Sequence, residues 1–258
     1  MSRVIVVTSG KGGVGKTSLC ANIGSSLAKM GNKVCLIDAD LGLKNLDVIL
    51  GLENRVVYDI EDVIEGRVEL HQALIKDKRC ESLTILPACK NIDVQSVDFT
   101  YMEKIVTELE KEYDFIFIDC PAGIERGFYN AIHNANESLI VVNLDISSIR
   151  DADKVIGILN AEGINNVSVI VNRVNPEEKD VNKTLTCEDV IDILNVPLMG
   201  IVYYDESVTS GNNFGMPSIY NEKSLAGKCY LNISRRLLGE QVDTLKYKKK
   251  SIFAKIFG

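Results

Sequence analysis

The octapeptide Gly10-Lys11-Gly12-Gly13-Val14-Gly15-Lys16-Thr17 constrains this chain more than any other stretch. It follows the apolar run Val4–Val7 directly and opens into an apolar helical pattern, Thr17–Lys29. A glycine, four spacers, a second glycine, a lysine and a hydroxyl in that strand-to-helix setting form a phosphate-cradling loop. The glycines let several backbone N–H groups turn inward and approach phosphate oxygens with no Cβ in the way. The helix that begins near Thr17 and Ser18 adds the positive end of its dipole. Lys16 can reach β- and γ-phosphates, and the Thr17 hydroxyl can ligate Mg²⁺.

A strand fused to such a loop and helix predicts an α/β fold, and the rest of the chain has that rhythm. Short β-branched runs recur at Val4–Val7, Lys33–Ile37, Phe115–Ile118, Leu139–Val142, Val167–Val171 and Leu198–Val202. Helical patterns occupy Thr17–Lys29, Tyr101–Lys111, Ile149–Ala161 and Ser224–Leu245. Alternation of this kind predicts a doubly wound, mostly parallel sheet with ligands at the carboxyl ends of its strands. With 258 residues, no linker-like tract and no repeat, one large domain over residues 1–245 is expected.

Those strand ends carry acids. Val34–Ile37 runs into Asp38-Ala39-Asp40, and Phe115–Ile118 runs into Asp119. Four apolar residues followed by a carboxylate aim that carboxylate from a buried strand at a metal shell beside the phosphate loop. After Val167–Val171 comes Asn172-Arg173-Val174-Asn175. A guanine reader needs an aspartate where Asn175 stands, so ATP is expected over GTP. Seven scattered cysteines, with no Cys-x-x-Cys pair, point to reduced thiols rather than a zinc site.

The charge is uneven. Five lysines and no acid lie between residues 246 and 258, and removing those five positive charges from the net −7 leaves −12 on the preceding body. Such a body repels DNA, so no nucleic-acid partner is expected. In residues 246–258, Ile252, Phe253, Ile256 and Phe257 share one helical face, with Lys249 among the basic residues just upstream. This reads as a basic amphipathic tail for anionic membrane lipids. Each lysine near such a surface is worth ~1 kcal/mol, against ~1–2 kcal/mol per residue to order the backbone. One tail is therefore a marginal anchor, whereas two on a dimer gain avidity of ~10²–10⁴.

The second loop lysine, Lys11, with Leu43-Lys44-Asn45-Leu46-Asp47, Asp119-Cys120-Pro121-Ala122-Gly123-Ile124 and the terminal lysine helix, resembles the deviant Walker A (MinD/ParA) family of P-loop ATPases. The resemblance implies a SIMIBI-type P-loop NTPase architecture and an ATP-bound homodimer in which Lys11 reaches the partner's phosphates. It implies Asp119 as the Mg²⁺-shell carboxylate, Asp40 as the residue orienting the attacking water, and Asp38 as its support. Asn172 and Asp205 fall where the family holds adenine, with Tyr204 replacing the usual proline. The switch loop offers no obvious glutamine, so hydrolysis is expected to be slow and to depend on the dimer.

The Asp-x-Pro-Ala-Gly-Ile motif and the tail resemble the branch that positions the division septum. That branch implies residence on the cytoplasm's side of the inner membrane, recruitment of the division inhibitor MinC, and stimulation by MinE or another topological regulator. Arg150, Asp151 and Asp153 resemble its partner-binding helix, and Asn45 is a further candidate for that surface. A partition ATPase and a flagellar-number regulator of the same family are the alternatives.

Overall fold

The computed structural model describes residues 2–40, 45–89, 99–175 and 185–247. The expected tail residues Lys249, Ile252, Phe253, Ile256 and Phe257 lie outside the described residues, as do Leu43 and Lys44. In chain order the elements are β1 (Arg3–Thr8), α1 (Lys16–Lys29), β2 (Val34–Asp38), α2 (Leu46–Ile49), α3 (Ile60–Ile64), α4 (Leu70–Ala73), β3 (Ile75–Lys76), β4 (Leu83–Leu86) and α5 (Phe99–Leu109). Then follow β5 (Phe115–Asp119), α6 (Arg126–Ile132), β6 (Glu137–Val142), α7 (Ile146–Ala161), β7 (Asn166–Val174), α8 (Cys187–Leu194), β8 (Leu198–Tyr203), α9 (Glu206–Asn213) and α10 (Leu225–Leu237).

The strands form one sheet in the order β3-β4-β2-β5-β1-β6-β7-β8, parallel except for the β3–β4 pair. The expected doubly wound sheet is thus present, and its six sequence-predicted strands are all members. Alternation along each strand feeds two cores. Val4 and Val6 of β1 join α5, α6 and α7 on one face, while Ile5 and Val7 join α1 and α10 on the other. Burial on both faces explains why the strands read as continuous apolar runs.

Two features depart from the sequence reading. Short β3 and β4 extend the sheet beyond β2. The last helix, expected to run to Leu245, stops at Leu237, because Gly239 takes a left-handed φ of 86° just beyond its end. Residues 240–247 instead run back along β8. The Arg236 guanidinium donates to the Met199 carbonyl (2.8 Å) and the Val242 carbonyl (2.7 and 2.9 Å), and the Tyr203 hydroxyl donates to the Leu245 carbonyl (2.9 Å). The chain leading to the lysine-rich end is therefore strapped to an edge strand. No helix of the described residues is long and apolar enough to cross a membrane.

Candidate functional site

The register of the central strands builds the site. β5 lies between β1 and β2, with Val7 paired to Asp119 and Asp38 paired to Asp119. The phosphate loop leaves β1 at this level, so the glycine loop and both strand-end acids meet at the carboxyl edge of the sheet. Gly13 and Gly15 take φ of 76° and 103°, backbone that L side chains rarely adopt. Gly10 packs against the backbone of Asp151 on α7, where a Cβ would fall 2.4 Å from carbon atoms of that residue. The loop is thereby seated on the helix that carries the candidate partner residues. Of these, Arg150 and Asp153 are exposed and Asp151 is half-buried.

Lys16 is 8% exposed, and its Nζ donates to the Ser9 hydroxyl at 3.1 Å. Below it stand two buried carboxylates. Asp38 accepts from the backbone N–H groups of Asp40, Asn45 and Leu46 at 3.1–3.2 Å. Burial still outweighs those bonds and raises its pKa from 3.8 to about 6. Asp119 is also raised well above the usual carboxylate range, first by burial and then by the charge of Asp38. The Thr17 hydroxyl interacts with Asp119 and favours its ionised form, yet among the described residues neither buried Asp119 oxygen has a partner at full hydrogen-bonding geometry. Half-buried Asp40 is raised by burial and partly offset by Lys16.

A buried carboxylate with unsatisfied oxygens, beside a hydroxyl, a second buried carboxylate and one lysine, offers the hard oxygen donors a small divalent cation requires. The residues present fit Mg²⁺, which Thr17 and Asp119 would hold. Above them opens a cavity of about 440 Å³ lined by the loop, Asp40, Asn45, Val48, Ile49, Ala122, Arg173 and Asn212. That size falls in the ~300–1,000 Å³ range of ligand sites.

A second, narrower cleft of about 50 Å³ lies beside it, between β7, β8, α9 and Gly15–Ser18. Asn172, Arg173, Tyr204 and Asp205 line it. Asn172 Nδ2 donates to the Val14 carbonyl at 2.7 Å, which leaves its Oδ1 free of that bond for an amino-bearing base. Asp205 is occupied structurally. It caps α9 by accepting from Ser207 N and steadies the start of α10 by accepting from Ser224 Oγ and Ala226 N. Burial works to raise its pKa, but those hydrogen bonds prevail and hold it below the usual carboxylate range.

Lys11 is half-exposed and does not point at the cavity. Its Nζ contacts Asp145 Oδ1 at 3.2 Å and the Ser147 hydroxyl at 2.8 Å, at the start of α7. Arg173 went unnoticed in the sequence. It takes a left-handed φ of 56°, lines both cavities and donates to the Gly13 carbonyl at 2.8 Å. Its adjacency to Asn172 was the available signal. None of the seven cysteines forms a disulfide, and five are buried.

A doubly wound sheet with this loop, two strand-end acids and two adjoining cavities defines a P-loop nucleotide-binding protein. The model of the CobQ/CobB/MinD/ParA nucleotide binding domain matches residues 5–219, and the chain belongs to that family. The septum site-determining protein MinD of Synechocystis sp. is 48% identical over 248 residues, covering 96% of this chain and 93% of that protein. Among solved structures, the MinC:MinD cell division protein complex of Aquifex aeolicus superposes with a TM-score of 0.89 at 48% identity, covering 96% of this chain and all of that one. The septum site-determining protein MinD complexed with Mg-ADP from Pyrococcus horikoshii gives 0.82 at 30% identity, covering 92% and 96%.

Proposed function

We propose that this chain is a slow ATPase that dimerises on ATP, settles on the inner face of the cell membrane through its tail, and there recruits MinC to keep the division septum away from unwanted sites. The observation that carries the reading is the unpartnered buried Asp119 carboxylate beside Asp38 and Lys16 at the mouth of the phosphate loop. Such a cluster is destabilised when it stands alone and is relieved by a cation held against a polyphosphate. Full-length similarity to septum site-determining proteins, one of them solved with MinC, supports the choice of pathway.

The chain's own groups divide the work. Loop amides and Lys16 bind the phosphates, Mg²⁺ would neutralise developing charge on the transferred phosphoryl group, and Asp40 orients a water at the cavity's rim. Asn172 reads the base. Lys11 exchanges its exposed contacts with Asp145 and Ser147 for the phosphates of a second copy. Exposed apolar side chains ring the same face: Val48, Ile124, Ile146 and Phe214 are 45–82% exposed and follow β2, β5, β6 and β8. A second copy pressed against that face would cover them. Arg150, Asp151, Asp153 and Asn45 stand on its margin as the surface for MinC, and MinE or another topological regulator is a further partner.

Sedimentation with anionic vesicles tests the reading. The protein should pellet with Mg·ATP and remain in solution with Mg·ADP, and pelleting should vanish in Lys16→Ala and on deletion of residues 246–258. Equal pelleting in both nucleotides, or a shift of DNA in a parallel gel, contradicts it.

A further inference from the structure

α2 borders the phosphate cavity, α9 borders both cavities, and the two helices are tied together at their carboxyl ends. α2 borders the phosphate cavity through Val48 and Ile49, and its first turn hangs from the Asp38 carboxylate through Leu46 N. α9 borders the base cleft through Val208, Thr209 and Asn212. At their carboxyl ends, Arg79 bridges the two. Its Nη2 donates to the Leu50 carbonyl at 2.6 Å, and its Nη1 donates to the Gly215 carbonyl at 2.7 Å. The fork is held from behind by Asp77, whose side chain is fully buried, through bonds of 2.5 and 3.1 Å, and its plane lies over the Tyr220 ring at 5.0 Å.

The backbones also touch. Gly51 and Gly215 have φ of 63° and 60°, and a Cβ on Gly215 would fall 2.4 Å from the Gly51 Cα. Two glycine-closed chain ends and one partly buried guanidinium leave little slack for α2 and α9 to move independently. The base cleft is narrow, about 50 Å³, and Asn212 Nδ2 donates to Ser18 Oγ at 2.7 Å on its wall. A purine entering the cleft presses on Asn212 and so on α9. A planar five-donor fork suits a two-carbonyl bridge in a way that a lysine's single ammonium does not.

We propose that Arg79 is a positioning residue that makes α2 and α9 one rigid unit, so that filling the base cleft also sets the helix bordering the phosphate cavity. Base recognition and phosphate sensing then become one event. The inference rests on the nucleotide reading above, and the two can fail separately.

Amide exchange on the full chain, with and without Mg·ADP, tests it. The diphosphate fills the cleft but brings no γ-phosphate. The amides of Leu50, Gly51 and Leu52, bonded to carbonyls of Leu46, Val48 and Asp47, should slow together with those of α9 by about fivefold or more, the lower end of usual site coupling. In Arg79→Lys, which keeps a cation beside Asp77, α9 should still slow while Leu50–Leu52 change less than twofold. Gly215→Ala, which leaves the Arg79–Asp77 pair intact, should uncouple them likewise. Protection of α9 alone in the wild type overturns the proposal, as does joint protection that survives in Arg79→Lys. Protection of neither segment overturns the nucleotide reading and the proposal with it.

Discussion

Replacing Asp38 by Asn should change how stability depends on pH, with a sign fixed by the buried carboxylate. In the nucleotide-free fold the Asp38 pKa is raised from 3.8 to about 6, chiefly by burial. The folded state therefore holds a proton that the unfolded chain has released between those values. Its contribution to stability is fully present below pH 3.8 and is lost as pH rises through 6. At ~1.4 kcal/mol for each pH unit between the two values, the loss is about 3 kcal/mol. Urea unfolding of wild type and Asp38→Asn at several pH values from 4 to 7.5 reads Asp38 together with the part of the Asp119 shift that its charge causes, while carboxylates away from this pair cancel in the difference. Relative to the variant, the wild type should lose about 2 kcal/mol on going from pH 4 to above 6, the remainder of the ~3 kcal/mol having been lost below pH 4. Saturating Mg·ATP should reduce the loss, because a cation beside Asp119 favours the ionised pair. A pH-independent difference, or a wild type that gains on the variant as pH rises, would refute the reasoning.

Other changes separate binding from folding. Gly15→Ala forces a Cβ to 2.5 Å from Asn172 Nδ2 at a φ of 103°, which should cost about 1–3 kcal/mol in a urea melt and abolish nucleotide binding by calorimetry. Lys11→Ala removes only exposed contacts to Asp145 and Ser147, so stability should stay within about 1 kcal/mol while nucleotide-dependent association disappears. None of the described residues of the 246–258 segment lines either cavity, so deleting the segment should leave nucleotide affinity unchanged within twofold while vesicle binding is lost.

The sheet was readable because its central strands are buried on both faces, and so appear as uninterrupted apolar runs ending in glycine or acid. β4 was overlooked although Leu83-Thr84-Ile85-Leu86 is such a run, because no helical pattern of ordinary length introduces it. The end of α10 was misplaced despite Gly239, since apolar and basic residues continue past the glycine and imitate amphipathic spacing. α9 has two asparagines, a glycine and no buried residue, so no hydrophobic period announces it. Its start depends on Asp205 as a cap.

Within the site, the loop and the acids were legible because their chemistry fixes their spacing. The cis contacts of Lys11, the left-handed Arg173 and the Arg79 bridge were not. Each joins residues more than 130 positions apart, and only the closed sheet brings them together.

The account turns on the γ-phosphate joining two copies of the chain face to face. Light scattering coupled to gel filtration, with Mg²⁺ and either a non-hydrolysable triphosphate or ADP, measures this directly. The triphosphate should give twice the 28.5 kDa chain mass, and ADP the mass of a single chain. One chain mass under both nucleotides at saturation would contradict the account, and so would a dimer of equal strength in each.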